Sequence, residues 1–320
     1  MKLLITGGSG FIGTNLLSHF QRDGINLMNI DFKEPRNRDQ LQLWNNVDIT
    51  DATALEKVVL GFQPDYIVHL AARTDLDGKS LEDYSANPIG AQNILNCCHK
   101  LPGLKKVLFT SSILVRGVGY EMKHVFDYHP TTLYGESKVE TERIVLANPP
   151  KCDWAILRPT SIWGPWFRVP YRNFFDMVIG GKYLHFGKKA SVHTYGYVGN
   201  SVYQIEKVLM ADTSMRSNDK RVFLLGDEPA YNIEEWANEI AGLCGKKIPR
   251  IPYWLIKCAA WFGDVLKFFG INFPMTSFRL KNMTTDNIMD VSATYEIAPN
   301  PPFSREDGVK VTLGWMKQEK

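Results

Sequence analysis

Short apolar runs and stretches with helical spacing alternate through the first half of the chain. The apolar runs predict five strands, at Leu3–Ile5, Leu27–Ile30, Tyr66–Leu70, Val107–Thr110 and Ala155–Leu157. Between them, helical spacing predicts four helices, over Phe11–Phe20, Leu55–Leu60, Ile89–His99 and Glu136–Leu146. Strands separated by helices favour a parallel sheet covered on both faces. Because such crossovers are right-handed, we predict an α/β fold with a doubly wound parallel sheet.

A glycine cluster lies between the first predicted strand and the first predicted helix. Gly8, Gly10 and Gly13 fit the spacing G-x-G-x-x-G, whereas Gly7, Gly10 and Gly13 fit T-G-x-x-G-x-x-G. Glycine lets the backbone approach a ligand closely, and a helix N-terminus offers free N–H groups and the positive end of a dipole. A strand, a glycine turn and a helix in this order predict a site for the pyrophosphate of a dinucleotide.

An acid at the end of the second predicted strand bears on which dinucleotide binds. A carboxylate at Asp31 can accept hydrogen bonds from the adenosine ribose hydroxyls and repel a 2′-phosphate, which favours NAD over NADP. Basic side chains that could instead hold such a phosphate follow closely, at Lys33, Arg36 and Arg38. A second acid, Asp48, precedes Ile49 after an extended stretch; it could meet the adenine amino group or be a solvated loop acid.

Composition and charge narrow the function classes. Of the 320 residues, 44% are hydrophobic and 22% are charged, which is typical of a globular protein. The net charge of +3 is too small to predict nucleic-acid binding. Five cysteines without a C-x-x-C pair predict neither a disulfide framework nor a metal site, and they favour a reducing cytoplasm. We predict neither a signal peptide nor a transmembrane segment.

The pattern changes after Pro159. The next stretch is rich in glycine, proline and aromatic residues, Val222–Leu225 again predicts a strand, and the remainder alternates helices with proline-rich loops. We therefore predict a Rossmann domain that binds the dinucleotide, formed by residues 1–160 and about 190–230. The other stretches are predicted to form a smaller, interleaved lobe that binds the substrate, made of residues 161–189 and 231–320.

Tyr134 and Lys138 lie four residues apart at the start of a predicted helix. Residues at this spacing share one helix face, so both side chains can point into one cleft. A nearby ammonium stabilises a phenolate and lowers the tyrosine pKa from its ordinary value of ~10. The pair therefore predicts a general acid–base catalyst, although most such pairs are ordinary helix faces. Hydroxyl residues that would face the same crevice follow the preceding strand, at Thr110, Ser111 and Ser112.

A set of short motifs runs through residues 1–165 in a fixed order. They are Thr6-Gly-Gly-Ser-Gly-Phe-Ile-Gly13, Asp31, Asp48-Ile49, His69-Leu-Ala-Ala72, Asn87-Pro-Ile-Gly90, Ser111-Ser112, Tyr134-Gly-Glu-Ser-Lys138 and Arg158-Pro-Thr-Ser-Ile-Trp-Gly-Pro165. Together they resemble the extended short-chain dehydrogenase/reductase family, of the NAD-dependent epimerase/dehydratase type, which includes nucleotide-sugar epimerases and 4-ketoreductases. The resemblance favours the Gly7, Gly10, Gly13 spacing and makes Gly8 incidental.

The resemblance implies roles for individual residues. Ser112 would hydrogen-bond the reacting oxygen, Tyr134 would be the acid–base residue, and Lys138 would bind the nicotinamide ribose and tune Tyr134. The implied NAD site consists of Gly7, Gly10, Phe11, Ile12, Gly13, Asp31, Asp48, Ile49, Leu70, Ala71, Ala72, Asn87, Tyr134, Lys138 and Pro159. Substrate contacts are expected at Ser111, Ser161 and His193. We expect no metal site, and His69 and His193 are interpreted as hydrogen-bonded structural histidines.

The chain also departs from the family pattern. Sugar 4,6-dehydratases carry an Asp-Glu pair just after the catalytic hydroxyl, where this chain has Ile113 and Leu114, so elimination would lack its acid and base. Ser161 stands where nucleotide-sugar members often have asparagine, and His193 stands where they often have arginine. Both replacements weaken the expected contacts with a sugar diphosphate.

The segment from Tyr253 to Gly270 is strongly apolar, interrupted only by Lys257, Asp264 and Lys267. In a helix these three residues fall on one side, which leaves a wide apolar face. Packing within the second lobe or against another subunit is the simplest interpretation. Peripheral contact with a membrane surface, or with an apolar substrate, is the alternative.

These features predict an NAD-dependent epimerase or 4-ketoreductase that acts at C4 of a nucleotide-activated sugar. One alternative is an enzyme similar to 3β-hydroxysteroid dehydrogenases, or another dehydrogenase of a small alcohol with an apolar substrate. A second is a non-enzymatic NAD(P)-binding sensor or scaffold. The resemblance also implies a homodimer, for which the helices Ile89–His99 and Glu136–Leu146 are the candidates.

Overall fold

Parallel strands form a central sheet, and shorter strands lie outside it. The structure is a computed structural model that describes residues 1–21, 24–169, 171–187, 190–268 and 276–319. Its strands are β1 (Lys2–Thr6), β2 (Asn26–Asp31), β3 (Trp44–Asn46), β4 (Tyr66–His69), β5 (Lys106–Thr110), β6 (Asp153–Pro159), β7 (Ser161–Trp163), β8 (His185–Phe186), β9 (Val192–His193), β10 (Tyr195–Tyr197), β11 (Val222–Leu225), β12 (Tyr231–Asn232) and β13 (Arg250–Ile251). Its α-helices are α1 (Phe11–Phe20), α2 (Ala52–Phe62), α3 (Ala86–His99), α4 (Leu133–Ala147), α5 (Tyr171–Ile179), α6 (Val198–Met210), α7 (Ile233–Leu243), α8 (Tyr253–Phe268), α9 (Ser277–Thr284), α10 (Ser292–Ile297) and α11 (Arg305–Gln318).

The central sheet has the strand order β11-β6-β5-β4-β1-β2-β3, and every pairing in it is parallel. The chain runs outward from β1 to β3 and then crosses back to β4 on the other side of β1. The strand order therefore reverses between β1 and β4. In doubly wound sheets, ligands bind outside the carboxyl ends of the strands at this point. The predicted fold class is confirmed.

Helices cover both faces of the sheet. Leu3 and Ile5 of β1 belong to one hydrophobic cluster, with α1 and α6, whereas Leu4 belongs to a second cluster, with α2 and α3. Successive side chains of a strand point to opposite faces, so an uninterrupted apolar run is what a strand buried on both sides requires. This explains why the short apolar runs identify the strands so well.

Helix α6 and the short strand β3 are the parts of the sheet region that the sequence does not predict. Asn200, Ser201 and Gln204 interrupt the apolar pattern of α6, yet all three side chains are buried. The Asn200 amide donates to Asp227 Oδ1 at 3.0 Å, and the Gln204 amide donates to the carbonyl of Gly226 at 2.7 Å. Buried polar residues that bond to distant parts of the chain interrupt the apolar pattern, so the sequence does not show the helical period here.

Aromatic rings fill the region outside the sheet. Trp163 is fully buried, and its ring centroid lies 5.0–6.2 Å from those of its neighbours, which are Phe175, Tyr197, Tyr231 and Trp236. We call these five residues the aromatic cluster. Because β11 returns to pair with β6 between segments of this region, the two parts of the chain interleave. The predicted domain boundaries stay a prediction.

Helix α8 contains the described part of the apolar segment, since residues 269 and 270 lie outside the described residues. Ala260 and Gly263 are the described residues of α8 that are fully buried, and most of its apolar side chains stay exposed. Packing within the lobe therefore leaves the apolar face uncovered. No helix in the described ranges is long and apolar enough to cross a membrane.

Candidate active site

The glycine turn after β1 is held against the loop after β4. Gly7 has a φ of +73°, and a Cβ built on it would lie 2.6 Å from the backbone nitrogen of Ala71. A side chain at this position would therefore be both strained and overlapping. Gly8 is incidental to the identity of the motif, yet a Cβ there would overlap the side chain of Asn29. Because Gly8 has no side chain, the turn can pack against Asn29 of β2.

The N-terminus of α1 offers free backbone donors. Gly10 is the N-cap residue and has no side chain to bond the first turn, and the first intrahelical bond runs from Thr14 N to Gly10 O at 2.9 Å. The N–H groups of Phe11, Ile12 and Gly13 precede that bond, so they have no partner within the helix. Together with the helix dipole, these donors fit a pyrophosphate.

Asp31 lies beside the glycine turn at the end of β2. One carboxylate oxygen accepts from Ser9 N at 3.1 Å, and the other accepts from Lys33 N at 2.9 Å. Burial raises the pKa of this carboxyl, and the two backbone donors oppose the shift. The remaining lone pairs can accept hydrogen bonds from ribose hydroxyls, which fits an NAD site.

Asp48 and Ile49 are adjacent in sequence but differ in burial. Asp48 is exposed, and its Oδ1 accepts from both the backbone and the hydroxyl of Thr50 at 2.8 Å. Ile49 is buried in the second hydrophobic cluster. Asp48 thus forms a local turn, and its contact with the cofactor stays a prediction.

The loop after β4 is fixed from two sides. Leu70 N donates to Thr6 O at 3.0 Å, and Ala71 N donates to the Thr6 hydroxyl at 3.3 Å, so Ala71 and Ala72 follow directly beside the glycine turn. His69 Nδ1 also bonds the Thr6 hydroxyl, at 2.7 Å. Burial, with the positive charge of Lys138, lowers the pKa of His69 to about 3, so this histidine is neutral.

Asn87 positions this loop relative to α4. Its amide accepts from the backbone N of Arg73 at 2.7 Å and donates to the Arg73 carbonyl at 3.1 Å. The same amide donates to the hydroxyl of Ser137 at 2.9 Å. These bonds hold the loop after β4 against α4, and a direct contact of Asn87 with the cofactor stays a prediction.

Tyr134 lies in the first turn of α4, opposite Ser112. The turn is capped by Thr132, whose side chain accepts from Gly135 N at 3.0 Å. A Cβ at Gly135 would overlap the carbonyl oxygen of Leu114, so glycine lets α4 press against the turn that follows Ser112. Ser112 lies close enough to hydrogen-bond Tyr134.

Tyr134 and Lys138 are both buried, and burial opposes the charged form of each. It raises the pKa of Tyr134, with Ser112 lowering it in part, so the lowered pKa expected for this tyrosine is not found. Burial also lowers the pKa of Lys138 to about 8. The Lys138 ammonium donates to the Thr110 carbonyl at 2.9 Å and lies 5.9 Å from the centroid of the Tyr134 ring. A phenolate formed here would therefore be stabilised by a positive charge that has little water around it.

Two buried hydroxyls follow β5 in the same crevice. Within the described part of the chain, neither Thr110 Oγ1 nor Ser111 Oγ has a hydrogen-bond partner. Ser111 is held by its backbone N, which donates to the Leu157 carbonyl at 2.7 Å. Buried hydroxyls that lack a protein partner at a strand end are suited to a bound ligand.

Ser161 and His193, the expected substrate residues, lie in β7 and β9, outside the central sheet. The hydroxyl of Tyr171 donates to Ser161 Oγ at 3.1 Å, and His193 Nε2 lies 2.9 Å from the hydroxyl of Ser191. Burial lowers the pKa of His193, which leaves it neutral at pH 7. His193 therefore does not replace the charge of an arginine. Pro159 ends β6 beside Leu225 of β11.

A cavity of about 290 Å³ adjoins these residues. Tyr171 connects it with the acid–base pair, since it lines the cavity and its side chain raises the pKa of Tyr134. Aromatic side chains dominate the walls, with two histidines and one acid among them. The lining residues are Tyr171, Phe174, Tyr183, His185, Phe186, Ala190, Ser191, His193, Tyr195, Ile233, Glu234, Trp236, Met283 and Thr284.

Comparison with known proteins identifies the family of this chain. The model of the NAD-dependent epimerase/dehydratase family matches residues 3–208, which span both the glycine turn and the acid–base pair. The chain belongs to this family. It is therefore an NAD-dependent enzyme of the epimerase/dehydratase type, and the resemblance seen in its motifs is confirmed.

Relatives within the epimerase/dehydratase family act on different substrates. N-acetyl-α-D-glucosaminyl-diphospho-ditrans,octacis-undecaprenol 4-epimerase of Escherichia coli O157:H7 is 29% identical over 98% of this chain and 94% of its own length. A 3-beta-hydroxysteroid dehydrogenase of Mycolicibacterium neoaurum is 26% identical over 98% and 90%. A solved UDP-glucose 4-epimerase of Thermotoga maritima covers 100% of this chain and 99% of its own, with a TM-score of 0.74 and 21% identity. At that identity, the structure shows the shared fold.

Several groups that shape the site of this family member are not predicted from the sequence. Gly135 lies inside the tyrosine–lysine motif, and its position next to Tyr134 was the available signal. Glu142 lies one helical turn after Lys138, and its charge partly opposes the lowering of the lysine pKa by burial. Its carboxylate is buried and pairs with Arg158 at 2.7 Å. A pairing of this kind is set by the fold and has no signature in the local sequence.

Proposed function

We propose that the chain is a 4-epimerase of a hexose carried on a diphosphate, with a nucleotide-activated sugar as the expected substrate. The observation that carries the proposal is the convergence of Ser112, Tyr134 and Lys138 beside the glycine turn. A hydroxyl, a phenol and an ammonium at one buried point can bind an alcohol oxygen and move its proton. The 29% identity over nearly the full length to a 4-epimerase supports the choice of C4.

Each residue has a defined task in the proposed reaction. Bound NAD would supply the acceptor and the donor of a hydride. The N–H groups at the start of α1 hold its pyrophosphate, and Asp31 holds the adenosine ribose. Tyr134 takes the proton from the sugar O4 while Ser112 hydrogen-bonds the same oxygen. Lys138 stabilises the phenolate before the proton arrives. Tyr134 returns the proton after the 4-keto sugar has presented its other face.

Support for epimerisation over dehydration comes from the turn after Ser112. Ile113 and Leu114 occupy it, and the Leu114 backbone N donates to the Ser112 hydroxyl at 3.1 Å. These apolar side chains provide no acid and no base that could remove water from the sugar. A reductase remains distinguishable by its stoichiometry, because reduction consumes NADH whereas epimerisation leaves the cofactor pool unchanged.

The test is a substrate panel with the purified protein and its Tyr134→Phe variant. UDP- and dTDP-sugars and N-acetylglucosaminyl-diphospho-undecaprenol are incubated with NAD, and the C4 epimer is measured by NMR. We expect epimer formation without net NADH, and a loss of ~10²–10⁴-fold in kcat for Tyr134→Phe. NAD affinity should not change, because the phenol proton is needed for chemistry. Full turnover by the variant would remove the acid–base assignment.

A dehydrogenase of an apolar alcohol is the second candidate, and the aromatic walls of the cavity favour it. A relative 26% identical over nearly the full chain is a 3-beta-hydroxysteroid dehydrogenase. Stoichiometric NADH production from a 3β-hydroxysteroid, with no epimer from any diphosphate sugar, would establish this candidate instead. NAD binding without turnover of either class would contradict both candidates.

A further inference from the structure

Helix α8 presents large apolar side chains to the outside of the molecule. Trp254 is 63% exposed and Trp261 is 67% exposed. The two lie seven residues apart, which places them on the same helix face. Ala260 and Gly263, by contrast, are buried. The helix is therefore seated through small residues, while its tryptophans point away from the fold.

The position of α8 is fixed by its neighbour α9. Asp264 Oδ1 accepts from the backbone N of Ser277 at 3.1 Å, at the start of α9. Tyr253 is exposed on the first turn of α8 and Leu255 follows it, at 43% and 41% exposure. The apolar surface thus extends along the described length of a helix that Asp264 ties to the start of α9.

Basic residues outnumber acids in the stretch of sequence that contains α8, although Arg250 of this stretch pairs with Glu234 of α7. Between residues 246 and 281 there are seven basic residues and a single acid, Asp264, although the whole chain has a net charge of only +3. Lys257 and Lys267 on α8 are exposed, and so is Lys281 on α9. A cationic surface with tryptophan and tyrosine at its centre is complementary to an anionic membrane interface, where indole rings lie at the headgroup level.

We propose that α8 docks on the surface of an anionic phospholipid bilayer and lies in the plane of the interface. The exposed tryptophans enter the headgroup region, and the surrounding lysines pair with lipid phosphates. Met283 and Thr284 of α9 line the cavity, so docking brings the cavity close to the membrane. Docking is independent of the reaction, whereas its use for a sugar on a lipid carrier rests on the proposed function.

Vesicle co-sedimentation with the full chain tests this docking. We expect binding to vesicles that contain phosphatidylglycerol, weaker binding to pure phosphatidylcholine, and release by high salt. Trp254→Gln/Trp261→Gln should lower the partition coefficient at least about tenfold, and Lys257→Gln/Lys267→Gln should remove the preference for anionic lipid. The matched controls are Met210→Gln/Met215→Gln and Lys57→Gln/Lys220→Gln, which replace exposed residues outside the segment and should bind like the wild type.

Epimerase assays with a water-soluble substrate separate this inference from the proposed function. The tryptophan variants should keep the wild-type rate, and Tyr134→Phe should still bind vesicles. Wild-type protein that stays in the supernatant with anionic vesicles would overturn the docking proposal, whatever the enzyme assay shows. A lipid-free dimer that dissociates in the tryptophan variants would also overturn it, because α8 would then be covered by a second copy.

Discussion

Two tryptophans of this chain have opposite surroundings. Trp163 ends β7 and is fully buried in the aromatic cluster, whereas Trp261 on α8 is 67% exposed. Both come from apolar segments, so hydrophobicity does not distinguish a residue of the core from one on the surface. What distinguishes them is whether neighbouring elements arrive from elsewhere in the chain. Around Trp163 they do, from β10, β12 and helices α5 and α7.

The largest effect expected from this difference is on unfolding. Trp163→Ala should lower the free energy of unfolding by ~3–5 kcal/mol, because it leaves a large cavity among rings that cannot all collapse into it. Trp261→Ala should stay within ~0.5 kcal/mol of the wild type. Urea denaturation of both variants measures the contrast. Equal costs would show that α8 contributes to the core after all.

A buried lysine and an exposed lysine should differ in how they change stability with pH. Burial lowers the pKa of Lys138 to about 8 in the folded chain, against 10.5 for an ordinary lysine. Below pH 8 both states carry the charge and folding bears the full desolvation cost. Between about pH 8 and 10.5 the unfolded chain binds more protons at this lysine than the folded chain does, so the contribution of Lys138 to stability rises with pH in the cofactor-free protein.

The lysine comparison is made with Lys138→Met. The stability of the wild type relative to this variant should rise by up to roughly 3 kcal/mol across that window, as two to three pKa units correspond to this energy. Lys257→Met on α8 is the control, since an exposed ammonium keeps its hydration in both states. A flat difference for Lys138→Met, measured by urea denaturation at several pH values, would contradict the buried charge.

The smallest predicted effect concerns the edge of the glycine turn. Asp31→Ser should raise the affinity for NADP relative to NAD about tenfold, or ~1.4 kcal/mol, because the carboxylate no longer repels a 2′-phosphate. Asp48→Ser is the matched control and should leave the ratio unchanged, since Asp48 is exposed and engaged with Thr50. Isothermal titration with both cofactors gives the two affinities. An unchanged ratio in Asp31→Ser would assign cofactor choice to Lys33, Arg36 or Arg38.

The parts of the fold that follow from sequence are those with local causes. Apolar runs identify the strands because both faces of the sheet are covered, and the glycine turn is identified because Gly7 needs a positive φ. Contacts between distant segments stay hidden. Asn87 reaches Ser137, and the side chains of Asn200 and Gln204 are buried against loops far along the chain. Their polarity alone would place them at the surface.

The candidate site shows the same division. The spacing of Tyr134 and Lys138 is a property of one helix, so it could be read directly. The burial of both side chains depends on how α4 packs against β5 and the turn after Ser112. The departures at Ser161 and His193 were visible in the sequence, but the aromatic cavity beside them was not, because its walls come from five separate segments.

The contact between Gly135 and Leu114 has a consequence for how this enzyme can change over evolutionary time. A methyl group at position 135 would overlap the Leu114 carbonyl oxygen, so Tyr134 can approach Ser112 only while residue 135 is glycine. A mutation there moves the whole helix, together with the proton donor and its ammonium, whereas mutations in the cavity alter only what is admitted. The chain can therefore drift between substrates while its chemistry stays fixed at one small residue.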